Sequence, residues 1–220
     1  MEELIKLLEN PFDDVTTKEA FQTKCEEIAT KLFNDYCINC NGKKFYFAEI
    51  EFYYWQKEKW KEKWNKVTYA RDGYNGGDLF FHLSGIDICF ESTFDKNNDF
   101  KNPHFGGILI RSIIEKHNNV TSGPWNVMMK ILNTCKGGMM PYLEKIQSEA
   151  KCKSNIQSTF RQLGEVDMVE EENNPLHLCF FDKAIPKDNW NFNKETFNKE
   201  KGIAESSKMY YNKSRFNYDN

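Results

Sequence analysis

Two carboxylates one residue apart, Glu49 and Glu51, interrupt the aromatic run Phe45-Tyr46-Phe47-Ala48-Glu49-Ile50-Glu51-Phe52-Tyr53-Tyr54-Trp55 of this 220-residue chain. Aromatic and β-branched residues favour extended backbone, so the run predicts a strand. Alternation sends Glu49, Glu51 and Tyr53 to one face and Ile50, Phe52 and Tyr54 to the other. A carboxylate on a rigid apolar strand, walled by rings, is suited to take a proton from water beside a flat substrate. The plainer reading of Glu51 is a surface carboxylate facing lysines of a neighbouring strand. A second polar interruption, Arg111, falls within Gly106-Gly107-Ile108-Leu109-Ile110-Arg111-Ser112-Ile113-Ile114. A cation in such an apolar run needs an anionic partner, and Glu49 or Glu91 would serve in a purely structural pair.

The elements that must position these groups are legible in outline. Leu4 to Leu8 and Lys18 to Phe33 predict helices, the second with an apolar stripe through Phe21, Cys25, Ile28, Ala29, Leu32 and Phe33 and a cap at Thr16 or Thr17. A Gly-containing turn over Asn39 to Lys43 leads into the aromatic strand. Leu79 to Leu83 and Ile86 to Phe90 read as strands of a hairpin turning at Ser84-Gly85. Pro124 begins a helix that runs through Leu132, ahead of Gly137-Gly138. Leu176 to Phe181 and Lys213 to Tyr218 predict further strands, with an acidic surface loop over Glu165 to Asn174. The fold class is α/β (α+β), a single domain over 1–220 with its core at about 20–218, built on a curved, mainly antiparallel sheet flanked by helices.

Composition narrows the function classes. The sequence is 40% hydrophobic and 29% charged, enough for one ordinary core. Its first residues are acidic where a secretory signal is basic, and no apolar run approaches a membrane span, so a cytoplasmic protein without membrane contact is expected. The 7 cysteines lack framework-like spacing, which fits thiols in a reducing compartment. Cys37-Ile38-Asn39-Cys40 is a lone CxxC without the second pair that a zinc site needs. A formal net charge of -3 argues against a large nucleic-acid footprint, but Lys57, Trp60, Lys61 and Trp64 form a local basic, aromatic patch. That patch reads equally as an amphipathic surface helix whose Glu58 and Glu62 balance the lysines.

The order of the motifs resembles the alkyladenine (3-methyladenine) DNA glycosylases of the mammalian and Bacillus type. That family has a V-E-T-E-A-Y strand, a G-T-L-Y-V-Y-x-x-Y-G hairpin, a V-L-L-R-A strand, an S-G-P-x-K-L helix start and a late R-F-Y strand. Their counterparts here are Ala48 to Tyr53, Gly77 to Gly85, Gly107 to Ser112, Ser122 to Val127 and Ser214 to Tyr218, in the same order. The resemblance implies a 3-methyladenine DNA glycosylase-like fold and hydrolysis of the N-glycosidic bond of a flipped-out base. Glu51 falls on the water-activating glutamate and Tyr53 on the stacking aromatic. Arg111 falls on the family arginine, where it would position the carboxylate or a phosphate. Phe81, His82 and Ser84 fall on the hairpin that lines the base pocket. Three positions depart from the pattern: Glu62 stands where the family has a pocket histidine, Ser84 where it has a wedging tyrosine, and Glu91 where it has an asparagine.

Under this reading the partner is DNA, with RNA or a nucleoside as other substrates. The protein acts as a monomer, and no metal and no cofactor are expected. Two alternatives stay open. One is a catalytically silent or repurposed member of the fold that binds nucleic acid or protein. The other is a Mg-dependent nuclease with Glu49, Glu51 and Asp87 or Glu91 around the ion.

Overall fold

A computed structural model of the chain describes residues 2–9, 11–56, 74–83, 85–91, 104–115, 120–135, 137–146, 154–159 and 178–185. Among the described residues, three helices, α1 (Glu2–Leu8), α2 (Lys18–Asp35) and α3 (Pro124–Leu132), accompany a curled antiparallel half-barrel sheet, an α+β arrangement. Its strands are β1 (Tyr36–Cys40), β2 (Lys43–Gln56), β3 (Leu79–His82), β4 (Gly85–Cys89), β5 (His104–Ile114), β6 (Val120–Ser122), β7 (Tyr142–Lys145), β8 (Ile156–Thr159) and β9 (Cys179–Asp182). The main path runs β3-β4-β5-β2-β1-β7, with β6 on β5 and β9 joining β2 to β8.

Local chemistry accounts for the boundaries that place the site. Thr17 caps α2 by accepting from the Ala20 amide at 3.2 Å. The β1–β2 hairpin turns on Asn41 and Gly42, both at positive φ (55° and 79°), a conformation that Gly and Asn tolerate best. The aromatic run is a 14-residue strand, β2, and lies at the centre of the sheet. It pairs with β5 along one edge and with β1 and then β9 along the other.

One irregularity governs what this strand presents. Phe45, Phe47, Ile50, Phe52 and Tyr54 all enter the main core, which strict alternation from Phe45 would forbid. The β2–β5 register shifts between Phe47 and Glu49 and again between Glu49 and Ile50. This bulge passes the apolar set from one parity to the other without losing burial, so Glu49, Glu51 and Tyr53 face away from the core. Beneath the strand, Phe12 stacks on Phe21 at 4.1 Å and meets Tyr54 and Phe90, which ties α2 and the loop before it to the sheet. Val127, Met128 and Ile131 of α3 enter the same core.

The aromatic strand, the hairpin and α3 therefore form close to their expected bounds, whereas β1, β6, β7 and β8 were not anticipated. The strand expected over Leu176 to Phe181 is described only from Cys179, as β9. The strand Lys213 to Tyr218 and the loop Glu165 to Asn174 lie outside the described residues.

Candidate functional site

The face of the sheet opposite the main core carries a polar cluster. Ladder register sets Phe80, Asp87, Leu109, Glu51 and Cys179 side by side on strands β3, β4, β5, β2 and β9. Residues opposite each other in antiparallel ladders project from the same face, so this row is a transect of one surface. Tyr53, two positions from Glu51, belongs to the same face and is half-buried.

At the bulge, the ladder steps from Ile110 opposite Ile50 to Ser112 opposite Glu49, and Arg111 sits in the step. Bulges re-aim side chains, and here Arg111 reaches both glutamates while Ser112 reaches Glu49. Arg111 Nη1 donates to Glu51 Oε2 at 2.5 Å, and Arg111 Nε lies 3.2 Å from Glu49 Oε1. Ser112 Oγ donates to Glu49 Oε2 at 2.9 Å and is 3.0 Å from Ser122 Oγ, and Cys179 Sγ donates to Glu49 Oε1 at 3.3 Å. The side chains of Glu51, Glu49 and Arg111 are 1%, 4% and 12% exposed. Glu51 is thus a buried member of an ion cluster and no surface carboxylate. Arg111 takes Glu49 and Glu51 together rather than either Glu49 or Glu91 alone.

One guanidinium compensating two buried carboxylates is a costly arrangement, because desolvation of each ion opposes the Coulombic gain. The carboxylates accept bonds from guanidinium, hydroxyl and thiol donors, on the sheet face that also carries Tyr53.

The hairpin residues divide between the two faces. Phe81 stands opposite Ile86 and packs on the main core, away from Glu51. Phe80 and His82 lie on the Glu51 face, their rings stacked at 5.7 Å, with Tyr74 edge-on to Phe80 at 5.2 Å. Asp87 is fully buried, and its Oδ1 is 3.3 Å from His82 Nε2. Ser84 and the patch Lys57, Trp60, Lys61 and Trp64 lie outside the described residues. Sequence reasoning brought Glu51, Arg111 and Tyr53 together, but it missed Ser112, Ser122 and Cys179 as partners. The available signal was a serine directly after Arg111 in an otherwise apolar strand.

The six described cysteines carry thiols, and no group of three or more His, Cys, Asp or Glu among the described residues is arranged to hold a metal ion. No helix among them is long and apolar enough to cross a membrane. Comparison with protein-family models, with curated proteins and with solved structures found no match to this chain.

Proposed function

We propose that this protein is a divergent relative of the alkyladenine DNA glycosylases that hydrolyses the N-glycosidic bond of a flipped-out modified base. DNA is the preferred substrate, with RNA or a nucleoside as the other candidates, and the protein acts as a cytoplasmic monomer. The observation that carries the reading is the contact between Arg111 and Glu51, two residues 60 apart in sequence, of which the motif resemblance places one on the water-activating glutamate and the other on an arginine that would position that carboxylate or a phosphate. Glu51 accepts a proton from water and its negative charge stabilises the cation-like sugar of the transition state. Arg111 holds the carboxylate in place, and Tyr53 stacks on the base once it is turned out of the helix.

Glu51→Gln tests the proposal against oligonucleotides that each carry one modified base, with released base measured by mass spectrometry and abasic sites by alkaline cleavage. Turnover should fall by at least a hundredfold while oligonucleotide affinity is kept. Base release that survives the substitution would remove Glu51 from the mechanism.

A second reading is favoured by one feature, the near-complete closure of Glu51 at 1% side-chain exposure. In it the ion cluster only shapes the sheet, and the protein binds nucleic acid or protein without cleaving a bond. It predicts binding with no base release from any probe by the unaltered protein.

A further inference from the structure

The CxxC segment does not bring its own two thiols together. Cys37 and Cys40 both lie on strand β1, and residues at that spacing project from opposite faces of a strand. Cys37 packs with Tyr46 and Ile146, whereas Cys40 enters the main core. There Cys40 meets a different cysteine, Cys135, which follows the end of α3 and packs against the same core.

Both thiols point at one atom. Cys40 Sγ donates to the Ile131 carbonyl oxygen at 3.7 Å, and Cys135 Sγ donates to the same oxygen at 3.3 Å. That oxygen already accepts from the backbone amides of Thr134 at 2.9 Å and Cys135 at 3.1 Å as the helix closes. A carbonyl oxygen has two lone pairs, so the thiols are surplus donors that lose little by turning away from it. The two cysteines differ in access to solvent. Cys40 is 0% exposed, and Cys135 is the only described cysteine that is not buried.

We propose that Cys135 and Cys40 are the reacting and resolving thiols of a peroxide-responsive disulfide that ties the end of α3 to strand β1. The inference is independent of the hydrolytic reading of Glu51. With hydrogen peroxide as the oxidant, the Cys135 thiolate attacks one peroxide oxygen, the O–O bond breaks, and the departing hydroxide takes up a proton to become water. Cys135 is left as a sulfenic acid. The side chains then rotate about their Cα–Cβ bonds to bring the sulfurs to the bonding distance of about 2.05 Å. Cys40 sulfur attacks Cys135 sulfur, the S–O bond breaks, and a second water leaves with the Cys40 proton. Two thiols are oxidised and one peroxide is reduced to two waters.

Burial and then the nearby Cys135 thiol push Cys40 up to about 12, so it ionises rarely, and its fixed place beside Cys135 offsets that handicap. The same reluctance to ionise makes Cys40 a poor leaving group, so the closed bond resists thiol reductants while the protein is folded.

The test treats the full folded chain with a small excess of hydrogen peroxide, then unfolds it in urea with N-ethylmaleimide and maps the cysteine peptides by mass spectrometry without reductant. A linked pair of peptides carrying Cys40 and Cys135, lighter by two hydrogens, should account for most of the reacted Cys135. The thermal midpoint of the oxidised protein should rise by at least about 5 °C. Cys135→Ser, at a partly exposed position, should leave Cys40 unoxidised, and Cys40→Ala should leave Cys135 as a sulfenic acid that dimedone traps. Absence of the linked pair overturns the proposal, as does a link from Cys135 to any other cysteine. Oxidation of Cys40 at an unchanged rate in Cys135→Ser, or a thermal midpoint that does not rise, overturns it equally.

Discussion

Replacing Arg111 by methionine keeps most of the side-chain volume and deletes the charge between Glu49 and Glu51. The guanidinium is 12% exposed and the two carboxylates 4% and 1%, so water cannot take its place without opening the sheet. Removing one partner of a buried pair costs about 3–5 kcal/mol because the remaining charge stays desolvated, and here two charges are stranded. With urea slopes of about 1–3 kcal/mol/M, the unfolding midpoint should drop by at least about 1 M, followed by circular dichroism. Adding Glu49→Gln and Glu51→Gln to Arg111→Met replaces both stranded ions by neutral amides and should recover at least half of the loss. The deficit of the single variant should also be nearly the same in low and high salt, because buried charges are screened far less than surface ones. A loss under about 1 kcal/mol, or one that salt removes, would mean that the cluster is solvated and that the case for a costly, functionally retained site is mistaken.

Three further outcomes follow from other parts of the molecule. The Asn39 amide and then the Lys44 ammonium hold the Glu144 carboxyl below its usual range where β7 meets β1. Its stabilisation is therefore present above about pH 4.3 and fades as pH falls through the lowered value. Glu144→Gln should cost about 0.5–1 kcal/mol near pH 6, a modest figure for a partly exposed pair, and the stability difference between the two proteins should shrink as the pH falls through the lowered value. Burial and then the neighbouring Cys135 thiol push Cys40 up to about 12, so iodoacetamide at about pH 8 should label it only as fast as the protein unfolds, measured by peptide mass spectrometry. Gly106→Ala should destabilise by about 1–3 kcal/mol in thermal melts, since the added Cβ would stand 2.5 Å from the Tyr53 carbonyl oxygen and 2.8 Å from the Phe90 ring.

What could be read from the residues was the periodicity. The stripe from Phe21 to Phe33, the Thr17 cap and the paired apolar segments around Ser84-Gly85 carry strong local signals, and each element formed close to its expected bounds. Strand β1 escaped notice because all five of its residues are buried, which leaves no alternation, and its two cysteines drew attention to metal spacing instead. Strands β7 and β8 have four residues each, too few for a period to show, and are held by tertiary pairing. The joint placement of Glu49, Glu51 and Tyr53 was legible, but the bulge that permits it was not. Its trace was there in the clash of parity, since Phe45 and Phe47 share odd numbers with the glutamates while Ile50, Phe52 and Tyr54 do not. The grouping of Ser112 and Cys179 around Glu49 joins segments 63 and 130 residues apart from it, beyond the reach of any local pattern.

The sequence distance between Glu51 and Arg111 also matters while the polypeptide is being made. At about 5–20 residues per second, the ribosome needs several seconds to cover the 60 positions from Glu51 to Arg111, and until then the aromatic strand has no β5 beside it. A naked aromatic segment of that length is prone to pair with its copies on other nascent chains. Glu49 and Glu51, still hydrated and charged, repel such copies until the arginine arrives. The residues that make the finished sheet expensive are thus the ones that keep its central strand soluble beforehand.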